Sequence, residues 1–325
     1  MQPTLWRGAL GAFLLAALAV PPMVSPAAAA TELLIGTSHQ TADAELPATV
    51  GIELGIFEKH GLDVKITDFG GGSRMIQAMT AGSIGIGVGA GSEMALIAKG
   101  APVLAVCEDA SSLPYFSVGL PYDSPIHSLD QLKGKKIGVT TEGSLTAWLA
   151  RELARHQGWG PDALNIVAIG GKPEAVAAAL RAHLIDANIG STLELADLEE
   201  HKIARALAPV SRFVGRTAGG VIYASHDIMK QQPDTVRRYL AAYLETMRYM
   251  STHKDETVAI ESRITHYPPE IVAKEYDIDE GMFTKDCRFD AESLANLKRS
   301  FLDQKLLSEP PDMSKLYTAE YLPHE

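Results

Sequence analysis

Leu62, Val64 and Ile66 alternate with Asp63, Lys65 and Thr67, the two-residue period of a half-buried strand. A first strand covers Glu32 to Ile35 and ends at Ser38-His39-Gln40, and a helix follows from Glu45 to His60, closed by Gly61. Beyond Asp68 the pattern becomes loop, helix, strand, loop, helix, strand, with glycines at the turns. Gly70, Gly71 and Gly72 precede Ser73, an N-cap residue for a helix through Met75, Ile76 and Met79 that Gly82 ends. Ile84, Ile86 and Val88 form a short strand, and Gly91 leads to Ser92, which caps a second helix reaching Lys99 and stopping at Gly100. The order up to Val106 predicts a mainly parallel sheet covered by helices. Two helix N-termini thus open just past strand ends, and their unpaired N–H groups suit small anions or carboxylates.

A second α/β unit begins after Cys107. Tyr115 to Leu120 reads as a strand, and Pro121 and Pro125 mark the exit from the first unit. Ser128 to Gln131 is a capping box for one helical turn. The strand Ile137 to Thr140 then repeats the earlier design, with Thr141, Glu142, Gly143 and the cap Ser144 leading a helix to Gln157. Leu164 to Ile169 and Ala187 to Ile189 are further strands, the latter followed by Gly190-Ser191-Thr192 and a helix to about His201. Gly219 to Ala224 returns to the first unit, and helices near 233–253, 255–265, 269–276 and 290–302 pack back across both. The expected division is 31–121 plus 215–325 for lobe I, with an inserted lobe II at 122–214.

The first thirty residues change the compartment. Arg7, the apolar run Gly8 to Val20 and Ala28-Ala29-Ala30 make a signal peptide cleaved after residue 30. No later segment is long and apolar enough for membrane insertion. Cleavage removes one basic residue, taking the net charge from −11 to −12. That acidity disfavours nucleic acid and anionic membrane surfaces as partners. The cysteines Cys107 and Cys287 are far apart in sequence. An exported location permits a disulfide, while Cys107, ending an apolar run, reads more simply as a buried small residue.

Catalytic and cofactor signals are thin. Gly85 to Ala90 matches GxGxxA with Glu108 about twenty residues on, but a dinucleotide fingerprint belongs to the first strand–helix–strand unit, and this one lies later. GxxxxGK[ST], HExxH and GxSxG are absent, and no Cys/His spacing resembles a metal site. No enzyme activity, cofactor or metal is expected. Ser73, Ser92 and Ser144 are helix caps in any case, yet all three sit where open α/β sheets bind ligands. Arg74, Lys172 and Arg216 could face an anion, and Glu93, if it faced the cleft, would favour a cation or zwitterion.

Four stretches carry a likeness: Glu53 to Phe57 with His60 to Val64; Phe69 to Ser73 through Ala81 to Ile84; Ser128 to Val139 with Gly143-Ser144; and Ile185 to Ala187. Gln232 to Val236 adds to them. In order and spacing the chain resembles the nitrate/sulfonate/taurine-type substrate-binding proteins of ABC importers, a family that includes binders of thiamine pyrimidine precursors. The resemblance implies a two-lobed periplasmic-binding-protein-like fold (type II), each lobe a mainly parallel sheet flanked by helices, with a helical C-terminal tail. It implies a monomeric periplasmic receptor that hinges near Leu120 and Thr217 around a small organic anion or zwitterion. An ABC permease with a cytoplasmic ATPase would be its partner. Carried over by position, the site comprises Ser38, His39, Gln40, Gly72, Ser73, Gly91, Ser92, Glu93, Thr141, Gly143, Ser144, Ser191 and Thr192. A sensing adaptor would share this fold and site. The pyrimidine synthase of the thiamine-related branch would instead need a cysteine-rich loop and a cytoplasmic location.

Overall fold

The computed structural model describes residues 1, 30–38, 46–142, 144–160, 162–279 and 281–323. Residues 2–29 of the expected signal peptide lie outside these. Among the described residues no helix is long and apolar enough to cross a membrane.

The first half builds one sheet. β1 (Thr31–Thr37) pairs in parallel with β2 (Leu62–Asp68) and with β3 (Ile86–Gly89). In β2, Leu62 and Val64 are buried while Asp63 and Lys65 face solvent, as the alternation requires. Between β1 and β2 the expected single helix is two, α1 (Leu46–Glu53) and α2 (Ile56–Lys59). Gly55 breaks it by taking the left-handed conformation, φ 65°, which glycine adopts at no steric cost. α3 (Gly72–Thr80) and α4 (Met94–Ala98) cover the sheet, and β4 (Val103–Ala110) lies at its edge.

The sheet is mainly parallel, as expected, with β10 (Gly220–Ser225) as its one antiparallel strand. The strand order is β2-β1-β3-β10-β4, and β10 runs antiparallel to both neighbours. A strand arriving from more than a hundred residues downstream separates β3 from β4. The second sheet mirrors this, in the order β7-β6-β8-β5-β9. β6 (Lys136–Val139) pairs in parallel with β7 (Asn165–Ala168) and β8 (Ala187–Ser191), whereas β5 (Phe116–Pro121) is antiparallel to β8 and β9 (Ala204–Pro209). α5 (Leu145–His156), α6 (Pro173–Arg181) and α7 (Thr192–Glu200) flank it. Each sheet therefore accepts one antiparallel strand from a chain crossing over from the other.

This placement corrects the expected exit at Pro121. β5 belongs wholly to the second sheet, and Leu120 is buried inside it rather than at a hinge. The crossing segments are residues 111–115 and 210–219, which lie side by side. Thr217 N–H donates to the Ser111 carbonyl at 3.1 Å and Gly219 N–H to that of Ala110 at 2.8 Å.

The C-terminal helices tie the lobes together. α8 (His226–Gln231) leads to α9 (Pro233–Met250), whose Tyr239 and Tyr243 pack with Leu33, Ile35 and Phe57 of the first lobe. α10 (Lys254–Thr265) and α11 (Pro269–Asp279) meet α7, where Val258, Ile271 and Val272 surround Leu193. α12 (Ala291–Asp303) reaches the second lobe through Arg299, 3.2 Å from Glu152 on α5. Cys107 and Cys287 form a disulfide, correcting the reading of Cys107 as a free buried residue. It fixes β4 to the segment ahead of α12. Glu108, the acid spaced about twenty residues from the discounted GxGxxA match, accepts hydrogen bonds from Asp290 N–H and Ser293 Oγ at the start of α12.

Candidate functional site

Parallel strands of both sheets point their carboxyl ends into one cleft of about 720 Å³. Ser38 follows β1, Gly70 to Ser73 follow β2, Ala90, Ser92 and Glu93 follow β3, Thr140 to Glu142 and Ser144 follow β6, Gly170 follows β7, and Ser191 ends β8. Open α/β sheets bind ligands at this position because the backbone there turns away and leaves helix N-termini exposed.

The structure brings Ser38, Gly72, Ser73, Ser92, Glu93, Thr141, Ser144 and Ser191 to the cleft wall. His39, Gln40 and Gly143 lie outside the described residues. Gly91 and Thr192 are not on the wall. Gly91 is a packing residue: a Cβ there would stand 2.7 Å from that of Ala218, and its N–H donates to the Ala218 carbonyl. Thr192 N–H donates to the Tyr115 carbonyl at 2.8 Å.

The serines play unequal parts. Ser144 Oγ accepts from Ala147 N–H at 3.2 Å and donates to the Thr141 carbonyl at 2.7 Å, and Ser191 Oγ accepts from Glu194 N–H at 3.1 Å. Both are N-caps, as their sequence positions imply. Ser73 is not. α3 starts one residue earlier, and its N-cap Gly71 has φ 152°, a conformation closed to side chains. Ser92 does not cap α4 either. It lies inside a tight 3₁₀ turn, Gly91–Glu93, and its hydroxyl donates to Glu93 Oε2 at 3.1 Å. Arg74 and Lys99 line the cleft from exposed positions, whereas Arg216 is held by Asp290 and Ser111.

Three polar residues inside the cleft carry buried chemistry. Glu93 is buried in the 3₁₀ turn, and loss of solvent pushes its carboxyl up to about 7, against the lowering effect of nearby backbone and Ser92 donors. Glu194 in the first turn of α7 is likewise raised to about 7, by burial first and then by the Asp197 and Glu174 carboxylates. Asn188, the second residue of β8, lies opposite Gly119 on β5 and Gly138 on β6. Gly119 leaves room for its amide, whereas Ile185 and Ile169 fill the space over Gly138. A Cβ on Gly119 would stand 2.3 Å from Asn188 Oδ1. The sequence reading missed Asn188 and Glu194. For Asn188 the available signal was an amide between Ala187 and Ile189 on a strand otherwise apolar up to Gly190. Tyr115, Phe116, Ile169 and Tyr267 add aromatic and aliphatic wall.

A second cavity, of about 250 Å³, lies among α9, α10 and α11 and is lined by residues such as Met247, Val272 and Phe283. It is away from the ends of the parallel strands.

The model of the family described as NMT1/THI5 like matches residues 45–257. The chain belongs to the NMT1/THI5-like family. A Brucella abortus protein named "Putative binding protein" is 27% identical over 217 residues, 66% of each chain, so the match spans just under two thirds of that relative. The alkanesulfonate-binding protein SsuA of Xanthomonas axonopodis pv. citri, solved bound to MOPS, superposes with a TM-score of 0.75 at 18% identity. That alignment covers 90% of this chain and 99% of the other. The desulfurization enzyme DSZB, solved as a mutant in complex with biphenyl-2-sulfinic acid, has a TM-score of 0.67 at 18% identity over 90% and 97%. At such identities the likeness speaks for the fold, and this fold serves binding proteins and an enzyme alike.

Proposed function

We propose that this NMT1/THI5-like chain is the solute receptor of an ABC importer. It works in the periplasm, holds one small organic molecule between its lobes and delivers it to a membrane permease coupled to a cytoplasmic ATPase. The observation that carries the reading is the convergence of strand ends from two separate sheets on a single cleft. A ligand there contacts both lobes at once, so it binds the closed form more tightly and draws the lobes together. About 5.5 kcal/mol of preference turns a 1:99 mixture of closed and open forms into 99:1. Residues 111–115 and 217–219 are the hinge in this reading. The sulfonate-binding neighbour supports an anion or zwitterion as the ligand class.

A receptor reading also fits the side chains better than an enzymatic one. Both cysteines of the chain are consumed in the disulfide, so no thiol is available as a nucleophile. The test combines a thermal-shift screen of sulfonates, carboxylates, amino acids and pyrimidines with small-angle scattering of the best binder. Stabilisation of about 2.7 kcal/mol at a hundredfold excess over Kd, with a smaller radius of gyration, is expected. Turnover of a stabilising compound, or binding with unchanged dimensions, would overturn the reading.

A further inference from the structure

Three helices opening onto the cleft have an acid that lines it near their N-termini: Glu93 beside α3, Glu142 ahead of α5, and Glu194 in the first turn of α7. Complementing the helix dipoles accounts for the exposed Glu142. It does not account for the other two. Glu93 is 8% exposed and lies so tightly over Gly72 that a Cβ there would stand 1.6 Å from Oε1. The place α3 offers to an anion is therefore already taken. Glu194 Oε1 is buried without a hydrogen-bond partner among the described residues, and Oε2 leans over Gly190.

Asn188 is the independent sign of a ligand. It is 1% exposed, both its amide atoms lack partners among the described residues, and its Nδ2 reaches the same space over Gly190 from the cleft floor. Buried polar groups are costly unless something bonds to them. Among the described residues no basic side chain acts on Glu93 or Glu194, and the wall's cations, Arg74 and Lys99, are exposed.

We propose that the ligand carries a cationic nitrogen head, an ammonium or amidinium, seated between Glu93 of the first lobe and the Glu194 and Asn188 side chains of the second. This deepens the receptor reading and rests on it. The head's N–H groups donate to both carboxylates, with the Asn188 amide on the floor beside them, while an apolar body lies against Phe116, Leu145 and Ile189. An acidic tail points outward to Arg74 and Lys99, which makes a zwitterion the best-matched ligand. A sulfonate driven to the same depth meets two carboxylates and no cation.

The test is calorimetry and thermal shift on the full mature chain with four probes of one skeleton: benzylamine, benzamidine, 4-(aminomethyl)benzenesulfonate and benzenesulfonate. The nitrogen-bearing probes are expected to bind and benzenesulfonate not to. Glu93→Gln and Glu194→Gln should each weaken the amines roughly ten- to hundredfold, as loss of a charged hydrogen bond does. Melting of the empty variants controls for folding, because neutralising a buried acid leaves the empty protein as stable or more so. Binding of benzenesulfonate with unaltered affinity in both variants would overturn the proposal and leave the receptor reading standing. Amine binding unaffected by either substitution would also overturn it. Failure of all four probes to bind would count against the proposal and the receptor reading together.

Discussion

Asn188 shows how a residue can be poorly placed for stability and well placed for binding. An unpartnered buried amide costs roughly 1–3 kcal/mol, a cost that a bound ligand removes. Asn188→Leu, of similar volume, should leave the melting temperature of the empty protein unchanged or higher while abolishing amine binding. Equal loss of both in melting and calorimetry would make Asn188 a structural residue. Gly119 is the complementary case. An added methyl would stand 2.3 Å from both Asn188 Oδ1 and Leu195 Cδ2, so Gly119→Ala should destabilise by about 1–3 kcal/mol in denaturant unfolding. Glycine was legible at these positions, but its cause was not. A sequence shows that Gly72 and Gly119 lack side chains, and only the fold shows whose side chain fills the vacated space.

At the scale of elements, helix starts were partly readable. Ser144 and Ser191 cap α5 and α7 through their own hydroxyls. Ser144→Ala should therefore cost about 1 kcal/mol, measured as a shift in the denaturation midpoint. Ser73 and Ser92 occupy the same sequence context, yet the preceding glycines let the backbone turn earlier and leave both hydroxyls outside the cap positions. β9 escaped the reading for another reason. Its sequence, Ala-Arg-Ala-Leu-Ala-Pro, has little strand preference, and pairing with β5 determines its conformation. The disulfide closes a separation of 180 residues and fixes β4 to the chain before α12. Cys107→Ala with Cys287→Ala should cost about 2–4 kcal/mol, seen as a lower melting temperature with the fold retained.

For the whole molecule, local pattern identified two α/β units and the return of β10 to the first, and left hidden the transfer of β5 to the second and the order of the strands. The insertion of β10 between β3 and β4, and of β5 between β8 and β9, depends on pairings far apart in the chain. Three buried acids and the half-buried Glu194 give the empty protein a pH signature. Burial raises Glu93, Glu108, Asp109 and Glu194 to about 7. Hydrogen bonds from Ser92, Ser293 and Tyr243 oppose the rise at the first three, and Arg216 opposes it at Glu108. The folded chain keeps these protons up to about pH 7, whereas the unfolded chain releases them near pH 4 to 4.5. Folding thus binds protons in that window, so the contribution of these groups to stability is full below about pH 4 and lost as pH rises through about 7. Glu93→Gln with Glu194→Gln should flatten part of that fall in melting temperature against pH.

Hydrogen–deuterium exchange with and without the tightest nitrogen-bearing probe tests most directly whether one molecule joins the two lobes. Protection is expected together at 70–74 and 90–93 of the first lobe and at 140–146 and 188–194 of the second. Protection confined to one lobe, or centred on the cavity around Met247 and Phe283, would contradict a ligand held between the strand ends.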